Sequence, residues 1–316
     1  MWLLAAARWP ETLRPRLHSG LVYAALAFVW WGLFPLYFRL VTTVPAAEVL
    51  AHRVVWCLLV LSVALLLRRQ WGWLRPVLRS PKVLLAFTAS ALLIGANWLA
   101  YIWAVTHGHV LDASLGYFIT PLVNVLLGMT LLHERLRRAQ WVALSLAALG
   151  VVWLAWQAEH PPWIALVLAA TFGGYGLLRK VAVLGALEGL TLETLLLAPL
   201  ALGVLALAAQ RGDSSFPAPD ALTNLWILAL GPVTAVPLLL FAAGARRLSM
   251  TTLGLMQYIG PTIQFIVGVW AFHEPFSGQR LVGFGLIWLA LVVYTADGLQ
   301  VGRRRAAPAS QTVAGS

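Results

Sequence analysis

The feature that most constrains this chain is a series of ten long apolar segments separated by short polar linkers. A helix of about 20 apolar residues crosses the hydrocarbon core of a bilayer and satisfies its own backbone hydrogen bonds there. Hydrophobic residues make up 61% of the 316 residues and charged residues 10%, which is too apolar for a soluble domain. We therefore predict an all-α integral membrane protein with ten transmembrane helices. The predicted spans are 20–41, 46–67, 83–104, 114–132, 139–156, 163–180, 190–209, 223–245, 250–272 and 281–299.

Positive charges are distributed unequally between the two sides of these spans. Of the 22 Lys and Arg residues, 18 fall in tails and linkers of one side, and Arg211 and Arg280 fall on the other. Because cytoplasmic linkers of membrane proteins carry the excess of Lys and Arg, both termini are predicted to be cytoplasmic, with tails at 1–19 and 300–316. Arg179 is assigned to the cytoplasmic linker 179–189. The net charge of +11 is explained by this orientation, so no nucleic-acid partner is predicted.

An internal repeat divides the chain into two halves. Residues 121–134 read PLVNVLLGMTLLHE, and residues 261–274 read PTIQFIVGVWAFHE. The residues that recur at a spacing of 140 include Pro121 with Pro261, Gly128 with Gly268, and Glu134 with Glu274. An odd number of spans in each half gives the two copies opposite orientations, as in the inverted repeats of many secondary transporters. We predict two inverted five-helix repeats, at 20–156 and 163–299, around a central cavity.

The fourth and ninth spans carry the same polar pattern on one helical face. In the fourth span Tyr117, Pro121 and Asn124 share a face with Gly128. The matching residues of the ninth span are Gln257, Pro261, Gln264 and Gly268. A proline inside a helix frees the carbonyl four residues earlier. Such a face would either line a cavity or bond two helices together, with glycine allowing close approach.

Other polar and aromatic residues inside the spans complete the predicted site. The predicted cavity residues are Trp31, Tyr37, Asn97, Trp98, Tyr101, Tyr117, Asn124, Tyr175, Gln257, Tyr258 and Gln264. The predicted helix breaks or hinges are Pro35, Pro121, Gly128, Pro261 and Gly268. Aromatic faces with amides suit a neutral or zwitterionic ligand better than a phosphate, which requires several Arg or Lys residues.

Charged residues in the second span have two interpretations. Glu48 and His52 stand four residues apart and share a helix face, and Arg53 lies about 10 Å into the span. A buried Arg needs a partner. The three residues would form either a group that binds a substrate or a coupling proton, or a structural ion pair near the membrane surface.

Glu134 and Glu274 end the fourth and ninth spans, where each carboxylate is predicted to anchor a loop by accepting N–H groups at the start of the next helix. The adjacent His and Glu do not have metal-ligand spacing, and Cys57 is the only cysteine. Neither a metal nor a cofactor is predicted. Because the chain contains no Gly-x-Ser-x-Gly and no His-Glu-x-x-His motif, we do not predict an enzyme.

These motifs resemble the drug/metabolite transporter superfamily in its form with two EamA repeats. The central Pro, the Gly and the terminal Glu134-Arg135-Leu136 carry the resemblance, and the second copy departs from it with Pro275-Phe276. More narrowly, VPAAEVLAHRVVW at 44–56, IGANWLAYIWAV at 94–105 and ASLGYFITPLVNVLLGM at 113–129 resemble the RarD group. Arg53 matches an Arg of that family, and Glu193 stands at the equivalent position of the second repeat.

The resemblance implies an inner-membrane transporter with a central cavity and a link to chloramphenicol sensitivity. Together with the repeat, it predicts a secondary transporter that moves a small amphipathic or aromatic metabolite or drug by alternating access, in the direction of export. Its expected partners are this substrate, the lipid bilayer and a coupling proton. The alternative hypothesis is a membrane scaffold or regulator that transports nothing.

Overall fold

The computed structural model describes residues 14–106, 110–156, 163–271 and 278–306, and these ranges contain helices and no strand. The helices are α1 (Arg14–Gly32), α2 (Phe34–Phe38), α3 (Ala46–Leu67), α4 (Leu74–Leu78), α5 (Pro81–Thr106), α6 (Val110–Leu131), α7 (Arg138–Trp156), α8 (Trp163–Val181), α9 (Ala186–Arg211), α10 (Ala221–Ala245), α11 (Met250–Gln257), α12 (Ile259–Ala271) and α13 (Gly278–Ala306). A 3₁₀ turn at Arg39–Val41 follows α2.

Within the described ranges, nine helical segments are long and apolar enough to cross a membrane. Two of these segments combine shorter elements: Ser19–Val41 joins α1, α2 and the 3₁₀ turn, and Met250–Ala271 joins α11 and α12. Helix α6 has 22 residues and is long enough to be the tenth span. The prediction of an all-α membrane protein is confirmed.

The prolines act differently in the two spans that share the polar pattern. Pro121 lies inside α6, which continues without interruption. Pro261 lies in the first turn of α12, just after the helix has broken at Tyr258 between α11 and α12. Pro35 likewise lies in the first turn of α2, after the break at Leu33. A proline in a first helical turn removes no intrahelical hydrogen bond, so the two breaks accommodate these residues.

Polar caps fix the starts of two helices near the membrane surfaces. The carboxylate of Asp220 accepts the backbone N–H of Thr223 at 2.8 Å, and this bond lowers the pKa of Asp220. The hydroxyl of Ser249 accepts the backbone N–H of Thr252 at 3.0 Å. These contacts start α10 and α11 by satisfying N–H groups that have no partner inside the helix.

The core of the bundle is apolar, and so is its outer surface. One buried cluster joins α1, α3, α5, α8, α9, α10 and α11, and a second joins α6, α7, α8, α11 and α13. Large apolar side chains are also exposed on the outside, among them Leu67, Leu200 and Trp270. A helix that is apolar on all sides is typical of a lipid environment.

Helices α3 and α9 pack against each other and run in opposite directions. The carboxylate of Glu48, at the start of α3, accepts the backbone N–H of Ser215, which follows the end of α9. Arg53 and Glu193 are each the eighth residue of their helix, about 10 Å from its start. The two charges therefore lie toward opposite ends of the bundle, which we name the Arg53 end and the Glu193 end.

Candidate functional site

Arg53 lies among aromatic side chains inside the bundle. Its guanidinium carbon is 4.7 Å from the ring centre of Trp98 and 5.9 Å from those of Phe34 and Phe38, within the range of cation–π attraction. Its Nε donates a hydrogen bond to the hydroxyl of Thr234 at 3.1 Å. Arg53 nevertheless remains partly exposed. Helices α2, α3, α5 and α10 thus place a partly exposed cation between aromatic faces.

Three tyrosines extend this group. Tyr37, Tyr101 and Tyr117 are close enough to interact electrostatically with Arg53, and all three are partly exposed. The rings of Tyr101 and Tyr117 are 5.9 Å apart, and the hydroxyl of Tyr37 donates to the carbonyl of Trp226 at 2.5 Å. We name these residues together the Arg53 cluster: Arg53, Phe34, Phe38, Trp98, Thr234, Tyr37, Tyr101 and Tyr117.

The Glu48, His52 and Arg53 side chains do not form one network in this structure. Both hydrogen bonds of Glu48 go to Ser215, at 2.8 Å and 3.3 Å. Nδ1 of His52 accepts the indole N–H of Trp56 at 3.2 Å, and its Nε2 is buried without a hydrogen-bond partner among the described residues. Glu48 therefore holds the linker after α9. A role for Glu48 and His52 in proton coupling stays a prediction.

A buried ion pair occupies the Glu193 end. Nη1 of Arg179 is 3.6 Å from the carboxylate of Glu193, and these side chains are 0% and 1% exposed. The hydroxyls of Ser90 and Tyr175 donate to the same carboxylate at 2.5 Å and 3.4 Å. We name these four residues the Glu193 cluster. It ties α5, α8 and α9 together and leaves little accessible surface.

The prediction for Arg179 was wrong. The charge pattern assigned this residue to a cytoplasmic linker, but it lies in the last turn of α8 and is fully buried. Its Nη2 donates to the carbonyls of Gly185 and Ala186 at 3.4 Å and 3.2 Å. A signal was present in the sequence, because Glu193 is a lone carboxylate inside the next apolar segment and a charge inside a membrane needs a partner.

The polar faces of the fourth and ninth spans meet each other. Nδ2 of Asn124 donates to Oε1 of Gln257 at 2.7 Å, and the two side chains are 0% and 6% exposed. A Cβ on Gly254 would lie 2.7 Å from the carbonyl of Pro121, so α6 and α11 touch through their backbones. In this structure the two polar faces bond one helix to the other, and their role in a cavity stays a prediction.

The remaining predicted residues also make contacts between helices. Nε2 of Gln264 donates to the carbonyl of Trp31 at 3.1 Å, and the hydroxyl of Tyr258 donates to the carbonyl of Phe118 at 3.2 Å. Nδ2 of Asn97 donates to the carbonyl of Leu168 at 2.9 Å and to the hydroxyl of Thr171 at 3.0 Å. Of the predicted cavity residues, those in the Arg53 cluster are therefore brought together, whereas the others join pairs of helices.

Glu134 binds the start of a helix, but not of the helix that follows it in the chain. Its carboxylate accepts the backbone N–H groups of Met250 and Thr251 at 2.7 Å and 3.0 Å, and the hydroxyl of Thr251 at 2.8 Å. These groups belong to α11, in the other half of the chain, and not to α7 as the sequence suggested. Glu274, its counterpart, lies outside the described residues.

Comparison with known proteins gives relatives over nearly the whole chain. The sequence profile of the EamA-like transporter family matches residues 18–156. An uncharacterized transporter of Pseudomonas aeruginosa is 48% identical over 92% of this chain and 98% of its own length. Protein RarD of Streptomyces exfoliatus is 46% identical over 90% of this chain and 91% of its own length.

One solved crystal structure has the same fold. It aligns with a TM-score of 0.69 and covers 88% of this chain and 98% of its own, at 23% sequence identity. The helical bundle and the relatives agree with the resemblance carried by Pro121, Gly128 and Glu134. The chain belongs to the EamA-like transporter family and is a transporter of the RarD type.

Proposed function

We propose that this chain is a secondary transporter that exports a small amphipathic or aromatic metabolite or drug across the inner membrane by alternating access. A carrier of this kind opens its binding site to one side of the membrane at a time. The observation that carries the proposal is the unequal access to the two charged clusters. Arg53 and its tyrosines are partly exposed, whereas Arg179, Glu193 and Tyr175 are at most 1% exposed.

The helix contacts support two related halves. In the two predicted repeats, helices α1, α3, α5, α6 and α7 correspond in order to α8, α9, α10, the pair α11 with α12, and α13. Under this correspondence, the contact of α1 with α10 is matched by that of α8 with α5. The contact of α6 with α8 is matched by that of α12 with α1, and the contact of α10 with α3 by that of α5 with α9. All of these pairs are in contact. The pairs α3 with α9, α6 with α11, and α7 with α13 join equivalent helices and also pack together. Such an arrangement is what two inverted repeats around a common axis require.

The orientation follows from the distribution of positive charge. If both termini are cytoplasmic, the Glu193 end, whose ion pair is buried, faces the cytoplasm, and the Arg53 end, whose cation is partly exposed, faces outward. The direction of export and the inner membrane rest on the family resemblance. No nucleotide-binding motif occurs in the sequence, so an ion gradient or the substrate's own gradient would drive transport, with Glu48 and His52 as the proposed proton carriers.

A ligand screen with a matched variant tests this proposal. The purified chain would be screened by thermal shift against a library of metabolites and antibiotics. Chloramphenicol would be included, because a relative from Pseudomonas aeruginosa is named for sensitivity to it. Hits would then be measured as flux into proteoliposomes, with and without a pH gradient.

The matched variant is Tyr101→Phe/Tyr117→Phe. It removes two hydroxyls that make no hydrogen bond to any residue the structure describes, so folding should be unaffected. The control is Tyr23→Phe. The ring centre of Tyr23 is 5.1 Å from the guanidinium carbon of Arg247, and Tyr23 is not part of the Arg53 cluster. A ligand that is transported by the parent and the control, and bound at least about tenfold more weakly by the variant, supports the proposal. A broad screen with no hit and no flux would instead favour the scaffold or regulator hypothesis.

A further inference from the structure

We propose that the Arg53 cluster binds the carboxylate of the transported molecule, which is an organic acid with an aromatic or apolar body. This inference rests on the proposed function and narrows its substrate class. It is drawn from three features of the cluster: the free end of the guanidinium, the missing acidic partner and the aromatic walls.

The terminal nitrogens of Arg53 are available to a ligand. Nε is used by Thr234 at 3.1 Å, whereas Nη1 and Nη2 make no hydrogen bond to any residue that the structure describes. A guanidinium presents its two terminal nitrogens as a fork whose geometry matches the two oxygens of a carboxylate. The bond to Thr234 fixes the plane of this fork, and a fixed fork loses less freedom when it binds.

Arg53 also lacks a carboxylate partner, in contrast to Arg179, which is fully buried inside the bundle. Arg179 is paired with Glu193 at 3.6 Å. Glu48, one turn before Arg53, directs its carboxylate to Ser215. Among the described residues, no acidic side chain pairs with Arg53. A cation inside a membrane protein is normally compensated by a neighbouring charge, and a substrate carboxylate would provide that charge.

The walls of the cluster indicate the rest of the ligand. Trp98, Phe34 and Phe38 surround the guanidinium carbon at 4.7–5.9 Å, and the partly exposed rings of Tyr101 and Tyr117 extend this apolar surface. A single cation matches a single negative charge, whereas a phosphate would require several basic groups. An aromatic carboxylic acid, or a zwitterion that contains one, fits both the charge and the walls.

The test compares an acid with its own amide. The full chain in lipid nanodiscs would be titrated with 3-phenylpropionate, 3-phenylpropionamide and decanoate, and binding would be measured by thermal shift. We expect the acid to bind at least about tenfold more tightly than the amide, because the amide loses the charge-assisted pair of hydrogen bonds. We expect Arg53→Gln to abolish this difference and Arg53→Lys to retain part of it.

The control is Arg68→Gln, which removes a positive charge from the exposed end of the same helix and should leave the preference unchanged. If Arg53→Gln does not fold, the preference of the parent for the acid over the amide decides the question. Equal binding of acid and amide, or no binding of either acid, would overturn the inference. Binding of decanoate but not of 3-phenylpropionate would support the carboxylate site and show that the body of the acid is aliphatic and not aromatic.

Failure of this inference is distinguishable from failure of transport. If neutral molecules are transported and their binding is weakened by Tyr101→Phe/Tyr117→Phe but not by Arg53→Gln, the transport proposal stands and the anionic substrate does not. If no molecule is bound or transported, both proposals fail.

Discussion

Substitution of Glu193 by Gln tests the buried ion pair at the Glu193 end of the bundle. The change keeps the size of the side chain but leaves Arg179, which is 0% exposed, without a counter-charge. Removal of one partner of a buried ion pair costs about 3–5 kcal/mol. Since Ser90 and Tyr175 can still bond to the amide, and the carbonyls of Gly185 and Ala186 still accept from Arg179, we expect the lower value.

A loss of about 3 kcal/mol corresponds to a reduction of roughly 4–6 °C in the melting temperature of a chain of this size. The double variant Arg179→Met/Glu193→Leu removes both charges and should recover most of that loss, because well-packed apolar residues can replace a buried ion pair at little cost. The control is Arg137→Gln. It breaks the pair with Asp297, in which Arg137 is 42% exposed, and should cost less than about 1 kcal/mol.

Cys57 reports whether the same substitution opens the bundle. This single cysteine is fully buried in α3 and is close enough to both Arg53 and Glu193 to interact with them electrostatically. If the Glu193 cluster holds its end closed, a maleimide should label Cys57 slowly in the parent and several-fold faster in Glu193→Gln. An unchanged melting temperature together with unchanged labelling would refute the role of the cluster. So would a double variant that is as unstable as Glu193→Gln.

Three other contacts give predictions that a thermal unfolding assay can check. Glu134→Ala removes the acceptor of three hydrogen bonds at the start of α11 and should cost about 3 kcal/mol; a cost below about 1 kcal/mol would contradict the anchor. Asn124→Leu and Gln257→Leu should each lower the free energy of unfolding by about 1–3 kcal/mol, because each leaves a buried polar group unpaired. The double variant leaves neither group unpaired and should therefore cost less than the sum of the two single changes. Additive costs would exclude the 2.7 Å bond. Gly254→Ala should cost about 1–3 kcal/mol by separating α6 from α11, whereas Gly285→Ala, where a Cβ meets nothing within 4 Å, should not destabilise the chain.

The positions of the spans were predictable because the requirement for them is local. A bilayer imposes a minimum apolar length on each helix, and that length can be read without knowing any partner. The span predicted at 46–67 coincides with α3 (Ala46–Leu67). The break between α11 and α12 was only partly indicated. The sequence marked Pro261 as a break, but the equivalent Pro121 lies in an uninterrupted helix, so proline alone does not decide where a helix breaks.

The partners of the polar residues were not predictable, because periodicity defines the face of a helix but not what meets it. The pattern placed Asn124 and Gln257 on matching faces, and the structure joins these two faces across 133 residues of sequence. It could not show that the carboxylate of Glu134 crosses to α11. Arg179 was assigned to a linker because cytoplasmic linkers carry an excess of Lys and Arg. The carboxylate of Glu193 inside an apolar segment was the more specific signal, because it requires a buried partner. The geometry of the Arg53 cluster requires five helices and could not be inferred from any one of them.

Opposite charges stand at equivalent positions of α3 and α9. Arg53 and Glu193 occupy the same position in α3 and α9, yet Glu193 is paired and buried whereas Arg53 is partly exposed and has no acidic partner among the described residues. If the two ends close in the same way, closure of the Arg53 end would bury a cation without a counter-charge, and such burial is strongly unfavourable. A carboxylate brought by the substrate would remove that cost. On this reasoning we expect the loaded carrier to close its Arg53 end more readily than the empty one, with the charge of the substrate as the condition for closure.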